Sequence, residues 1–224
     1  PSEVTVVAAG SQYQVNWKPN TNDIVAGYVI ETGGKRQMHP FAFTSVNASS
    51  YAGSYGTPER ANDEYDDTFW QPDAADRDPN IQFHTARKEL MSDISIVWSS
   101  SGYVPRKYTV EAYDGFSWIP LREEVANTES ITQLTLNPPY LTDAIRVSFA
   151  ATTDGSSAGQ VSDVKGQALD VVVGRSVNIP STNGPQSISV RTLSSIGLLG
   201  DAEIAKPGGD DGELWPVTLD AHVS

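Results

Sequence analysis

Residues 105–121 read Pro-Arg-Lys-Tyr-Thr-Val-Glu-Ala-Tyr-Asp-Gly-Phe-Ser-Trp-Ile-Pro-Leu. Tyr108–Tyr113 is rich in β-branched and aromatic residues, Asp114 and Gly115 break the run, and Trp118 falls on a strand-like position beyond the break. The same pattern extends outward in both directions. Upstream lie strand-like runs at 4–7, 13–17, 28–31, 81–83 and 94–98; downstream lie 131–136, 144–149, 171–173 and 187–192. Residues 131–136 alternate cleanly, with Ile131 and Thr135 on one face and Thr132, Leu134 and Leu136 on the other. One short stretch, 86–91, reads as a helical turn. Many short strands punctuated by Gly, Pro, Asn, Asp and Ser predict an all-β sandwich or barrel.

Composition narrows the function classes. With 224 residues, 38% of them hydrophobic, the chain can bury one large or two small β cores. A net charge of -13 repels phosphate backbones and anionic lipid, so no nucleic-acid partner and no membrane insertion are expected. The same acidity suits calcium, which takes carboxylate and carbonyl oxygens. The chain has no cysteine, which removes disulfides, thiolate metal sites and cysteine catalysis. Pro1-Ser2-Glu3-Val4 shows no basic region followed by an apolar run, so no signal peptide is expected. His39, His84 and His222 are scattered, and no phosphate loop, dinucleotide fingerprint or nucleophile elbow occurs, so the chain is expected not to be an enzyme.

Residues 47–51, Asn-Ala-Ser-Ser-Tyr, lead into 58–70, Pro-Glu-Arg-Ala-Asn-Asp-Glu-Tyr-Asp-Asp-Thr-Phe-Trp. This order resembles the opening of discoidin (F5/8 type C) domains and family-32 carbohydrate-binding modules, where A-S-S precedes A-x-D-G-x-x-x-T-x-W. Ala61, Asp63, Thr68 and Trp70 match, while Glu64 stands where the family has glycine. Residues 81–85 resemble the family's I-x-V-D-L strand, with His84 at the Asp position. Residues 105–121 resemble P-x-x-Y-x-V-E-x-S-x-D-G-x-x-W, and 141–147 resemble A-R-Y-I-R-V. The resemblance implies a discoidin-like jelly roll over 37–174.

The flanks, 1–36 and 175–205, resemble the strands of a split fibronectin type III sandwich, which makes the jelly roll an insertion. The alternative is that they are extra strands of one larger sandwich. Residues 206–224 read as a linker and tail, beginning Lys-Pro-Gly-Gly-Asp-Asp-Gly.

The resemblance also implies a structural Ca2+ site. By position, Asp63 and Thr68 would supply side-chain oxygens, Arg60 and Tyr65 carbonyls, and Asp170, entering the last strand, a further carboxylate. The competing reading is an Asx turn in which Asp63 and Thr68 cap backbone amides. Glycan binding would fall to rim loops carrying Tyr51, Tyr55, Arg77, Tyr103 and Arg106: aromatic faces stack on sugar C–H groups and Arg forks bond paired hydroxyls. The competing reading there is ordinary solvent loops or a protein contact. Trp17, Trp98 and Trp118 are expected in cores, and Trp70 as a structural closure of the calcium-type loop.

The expected function is non-catalytic recognition of a glycan or cell-surface polysaccharide, on a phage virion surface or, alternatively, as an extracellular secreted protein. The alternative function is a virion structural, decoration or tail protein whose sandwiches contact other assembly subunits.

Overall fold

The computed structural model describes residues 1–19, 25–99, 104–149, 159–181 and 187–205, with the short strand Pro216–Val217. Four strands open the chain: β1 (Ser2–Ala9), β2 (Gln12–Lys18), β3 (Val25–Thr32) and β4 (Lys35–Arg36). Seven follow: β5 (Met38–Phe41), β6 (Ser45–Ala48), β7 (Asn80–Trp98), β8 (Tyr108–Tyr113), β9 (Trp118–Glu124), β10 (Ile131–Phe149) and β11 (Val161–Leu169). The last are β12 (Val171–Val172), β13 (Ser176–Pro180), β14 (Ile188–Ser194), β15 (Leu199–Ala205) and β16 (Pro216–Val217). The chain divides into two compact units, Pro1–Met38 with Leu169–Ser224, and His39–Ala168.

The first unit pairs β1-β2-β13 in one sheet and β12-β3-β14-β15-β16 in another, with β4 on β3. Alternate residues of both sheets bury Val6, Val15, Trp17, Ile30, Ile179 and Val190 in a shared core. Trp17 meets Tyr28 edge-on with ring centroids 5.0 Å apart. Gly27 is required where β12 crosses: a Cβ there would lie 2.3 Å from Val171 Cγ1. This β3–β12 pairing places 169–174 in the first unit, so the boundary falls at 168 rather than 174. Strand β16 pairs with β15 inside the stretch read as linker and tail.

The second unit is a jelly-roll sandwich whose strands run β5-β11-β7-β10-β8-β9, with β6 on β7. Strands β7 and β10 are 19 residues each and pair in separate stretches. Residues 131–135 face 97–93, 140–142 face 91–89, and 144–148 face 84–80, with register shifts between. Each strand bends at the shifts and turns a buried face from both halves inward. Ile81, Phe83, Ile94, Ile96 and Trp98 of β7 meet Leu134, Leu136, Ile145, Val147 and Phe149 of β10 in one core. Thr132, Leu134 and Leu136 are buried while Ile131 is 49% exposed, which is the face that the alternation predicts.

Two sequence expectations give way to tertiary pairing. Residues 86–91 are not a helical turn but part of β7, because β10 captures 89–91 in its ladder. The Thr85 hydroxyl shapes the adjoining bend, lying 2.6 Å from the Arg87 carbonyl. Among the described residues the helical elements are the single 3-10 turns Gly53–Tyr55 and Pro58–Ala61. Trp118 is half-exposed rather than in the core: it lies on the outer sheet face, where the Arg146 guanidinium covers it at 4.6 Å. Trp17, Trp70 and Trp98 are buried. No described helix is long and apolar enough to cross a membrane.

Candidate functional site

The serine pair after Ala48 organises the loop end of the second unit. Ser49 and Ser50 hydroxyls both donate to Asp76 Oδ2 at 2.6 Å. The Ser49 oxygen also accepts from the Asn80 amide, and the Ser50 oxygen from the Asp73 amide, each at 3.0 Å. Burial works against the Asp76 anion, but the two hydroxyls and the Asp78 amide outweigh it and hold the carboxyl below its ordinary range. Ala52 N–H donates to Gln71 O, Gln71 N–H to Gly56 O, and Trp70 Nε1 to Ser50 O. Residues 49–56 and 70–80 are thereby laced together.

This lacing brings Tyr51, Tyr55 and Arg77 onto one set of loops. Tyr51 is 54% exposed and Tyr55 56%, and Arg77 is also exposed. Arg106 lies exposed just before β8, with its carbonyl held by the Asn127 amide at 2.9 Å. Tyr103 lies outside the described residues.

A groove of about 490 Å³ opens beside these loops. Asp78 and Asn80, one and three residues past Arg77, line it, as does Lys107, which follows Arg106. Thr109, Glu123, Glu124, Arg146 and Ser148 add to its polar wall, with Tyr108 and Phe149 as aromatic parts of the lining. Donors and acceptors alternate there over a partly apolar surface, a pattern that suits a polyhydroxylated ligand. Arg122 first, then the Ala126 and Val125 amides, keep the Glu124 carboxyl below its ordinary range. Its carboxylate is therefore held as an anion that accepts hydrogen bonds. Arg146 is forked onto Glu111 at 2.6 and 2.8 Å. No local mark of this groove is present in the sequence, because its wall is assembled from segments far apart in the chain.

The loop 60–68 gathers oxygen. Thr68 Oγ1 lies 2.9 and 2.8 Å from the Asp63 carboxylate oxygens and 3.2 Å from both the Arg60 and Tyr65 carbonyls. An Asx-turn bond is present as well, from Tyr65 N–H to Asp63 Oδ1 at 3.1 Å. That turn does not explain the hydroxyl, which has one proton and four oxygen neighbours. An all-oxygen set of one carboxylate, one hydroxyl and two carbonyls matches the hard-cation chemistry of calcium. Among the described residues no three His, Asp or Glu side chains cluster as a metal group, so such a site would rest largely on carbonyls.

Asp170 falls in the first unit, where its amide donates to Gln37 O at 3.0 Å. Within the second unit the buried acid is Asp163 on β11, which the sequence reading passed over. Trp70 and Val161 form an antiparallel bridge, and two residues outward from it lie Thr68 on one segment and Asp163 on the other. The Asp163 side chain is 3% exposed. The signal available for it was the Val161-Ser-Asp-Val-Lys run, a strand that is not among the strand-like runs of the sequence.

A profile of the F5/8 type C domain matches residues 45–164. The chain belongs to the F5/8 type C domain family. The match spans β6 to β11, so the family's fold is that of the second unit. Two solved structures illustrate the likeness. One is chitosan-binding module 1 of a chitosanase/glucanase from Paenibacillus sp. IK-5: 16% identity, TM-score 0.51, covering 57% of this chain and 98% of the module. The other is a family 32 carbohydrate-binding module from C. perfringens solved with galactose: 16% identity, TM-score 0.51, covering 58% and 99%. At these identities the likeness is one of fold. No curated protein matches the chain by sequence.

Proposed function

We propose that the F5/8 type C unit is a non-catalytic glycan-binding module that takes its ligand at the loop rim and the groove beside it. The observation that carries this reading is the groove itself, where Asp78, Asn80, Lys107 and Glu124 bring acceptors and donors together beside the aromatic lining of Tyr108 and Phe149. The fold's relatives include modules whose structures name chitosan and galactose, which supports the ligand class. The loop 60–68 would hold a structural calcium ion through Asp63, Thr68 and the Arg60 and Tyr65 carbonyls, with Asp163 as the nearby buried carboxylate. Calcium there would pin a long loop and supply no chemistry. A glycan array and affinity electrophoresis, with and without chelator, test the reading. Binding that falls about tenfold, 1.4 kcal/mol, in an Asp78→Ala/Lys107→Ala variant is expected. No retention of any polysaccharide at high protein concentration would overturn it.

A second reading, a subunit of a virion surface or tail, rests on the first unit. Val173, Ile196 and Leu198 there are 84%, 79% and 62% exposed, apolar surface suited to a subunit contact. Light scattering on the chain alone and with its encoded neighbours tests this.

A further inference from the structure

Asp163 Oδ2 is buried with no hydrogen-bond partner, yet it lies 2.7 Å from Lys165 Nζ. The contact is an ion pair. A buried carboxylate needs a countercharge, since leaving one unpaired costs several kcal/mol. Here the countercharge comes from a side chain that is itself 60% exposed. Asp163 and Lys165 alternate along β11, so both project to one side of the strand. The Trp70–Val161 bridge sets this stretch of β11 beside the end of the oxygen-rich loop. The Lys165 ammonium is stabilised first by Asp163, and then by the charges of Asp66 and Glu64 in the loop. The Lys165 ammonium, reaching in from solvent, therefore serves three carboxylates. Meanwhile Thr68 Oγ1 stands among four oxygens with a single proton to give.

We propose that Lys165 is a tethered cation that stands in for the divalent ion at the 60–68 loop. Its ammonium neutralises the buried Asp163 when no ion is bound and competes with an ion for that carboxylate. The inference rests on the calcium reading above. It adds that this chain carries its own competitor, which weakens its calcium affinity and lets the loop stay ordered without metal. When an ion enters, the flexible, exposed Lys165 stem swings to solvent at little cost.

Calcium titration calorimetry on the full chain after chelation tests this. It compares the natural chain with Lys165→Gln, Lys165→Met and a control in the other unit, Lys35→Gln. Both Lys165 variants are expected to bind calcium about tenfold tighter, and Lys35→Gln to stay within about twofold. In chelator both Lys165 variants should melt below the natural chain, and calcium should remove the difference. If the natural chain takes no calcium but Lys165→Gln does, the calcium reading fails for the natural protein and the tethered cation stands. Equal affinity in all four proteins overturns the tethered cation and leaves the calcium reading intact. No binding by any of them overturns both.

Discussion

Arg146 lies over the Trp118 ring at 4.6 Å while its guanidinium forks onto Glu111 at 2.6 and 2.8 Å. One side chain thus ties three strands of the outer sheet face, β10, β9 and β8. Trp118 also meets Tyr113 at a centroid distance of 5.3 Å, so the stack continues along the hairpin. The half-buried position of the pair makes each partner costly to remove alone. Glu111→Gln or Arg146→Ala should each lose about 2 kcal/mol in chemical denaturation. Arg146→Lys should recover less than half, because an ammonium cannot make the fork and stack together. A fully rescuing Lys would show that charge alone holds the face.

Glu64 occupies φ +66°, the left-handed region, at the position where the family has glycine. A non-glycine residue there costs roughly 1–2 kcal/mol, offset in part by the entropy glycine loses on folding. Glu64→Gly should therefore stabilise the chain by about 1 kcal/mol, and Glu64→Asn by less. Glu64→Ala should bring no such gain. Denaturant midpoints at fixed ionic strength in chelator measure this, and a destabilised Glu64→Gly would mean the turn is held by the glutamate side chain.

The lacing of the rim loops depends on an anion. The Asp76 pKa lies below its ordinary 3.8, so the clamp is complete above pH 3.8 and is lost as pH falls through the lower folded value. Above pH 3.8 the Asp73 and Asn80 amides, bonded to the Ser50 and Ser49 hydroxyls, should exchange slowly; their protection should fall as pH drops through the lower folded value. In Asp76→Asn protection should be low and nearly independent of pH. Amide exchange followed by NMR between pH 3 and 6 decides, about the range in which carboxylates titrate. Identical profiles for the two proteins would remove Asp76 from the clamp.

The sequence disclosed most where local chemistry and final packing agree. The Ala61, Asp63, Thr68 and Trp70 motif was legible because each residue answers to one short loop: Ala61 and Trp70 are fully buried in it, and Asp63 and Thr68 meet inside it. Asp114 was legible as a break because its carboxylate accepts the Phe116 and Ser117 amides, both at 2.7 Å, and closes the β8–β9 turn. Asp163 was not legible. Residues 161–166 are polar enough to read as loop, and only pairing in the sheet buries Ser162 and Asp163. An acid was instead sought where the chain enters its last strand, at Asp170, but β11 already begins at Val161. The bend in β7 was hidden for a similar reason, because β10 imposes it through two register shifts that leave no periodic trace in residues 85–91.

Thr132 shows what a polar residue on a buried face can do. The alternation places it inward beside Leu134 and Leu136, and it is 8% exposed. Trp98 Nε1 donates to its hydroxyl oxygen at 2.9 Å, and Tyr108 OH lies 3.0 Å from the same atom. One hydroxyl therefore satisfies two buried aromatic groups on two other strands. Thr132→Val keeps the shape and strands both partners, so it should cost about 3 kcal/mol, one buried unsatisfied group for each. Thr132→Ser keeps the oxygen and loses one methyl, about 1 kcal/mol. Adding Tyr108→Phe to Thr132→Val should cost less than the sum of the two, because the second change removes a group already left unpaired. A double-mutant cycle by chemical denaturation measures that coupling, and strict additivity would mean that Tyr108 takes its hydrogen bond elsewhere.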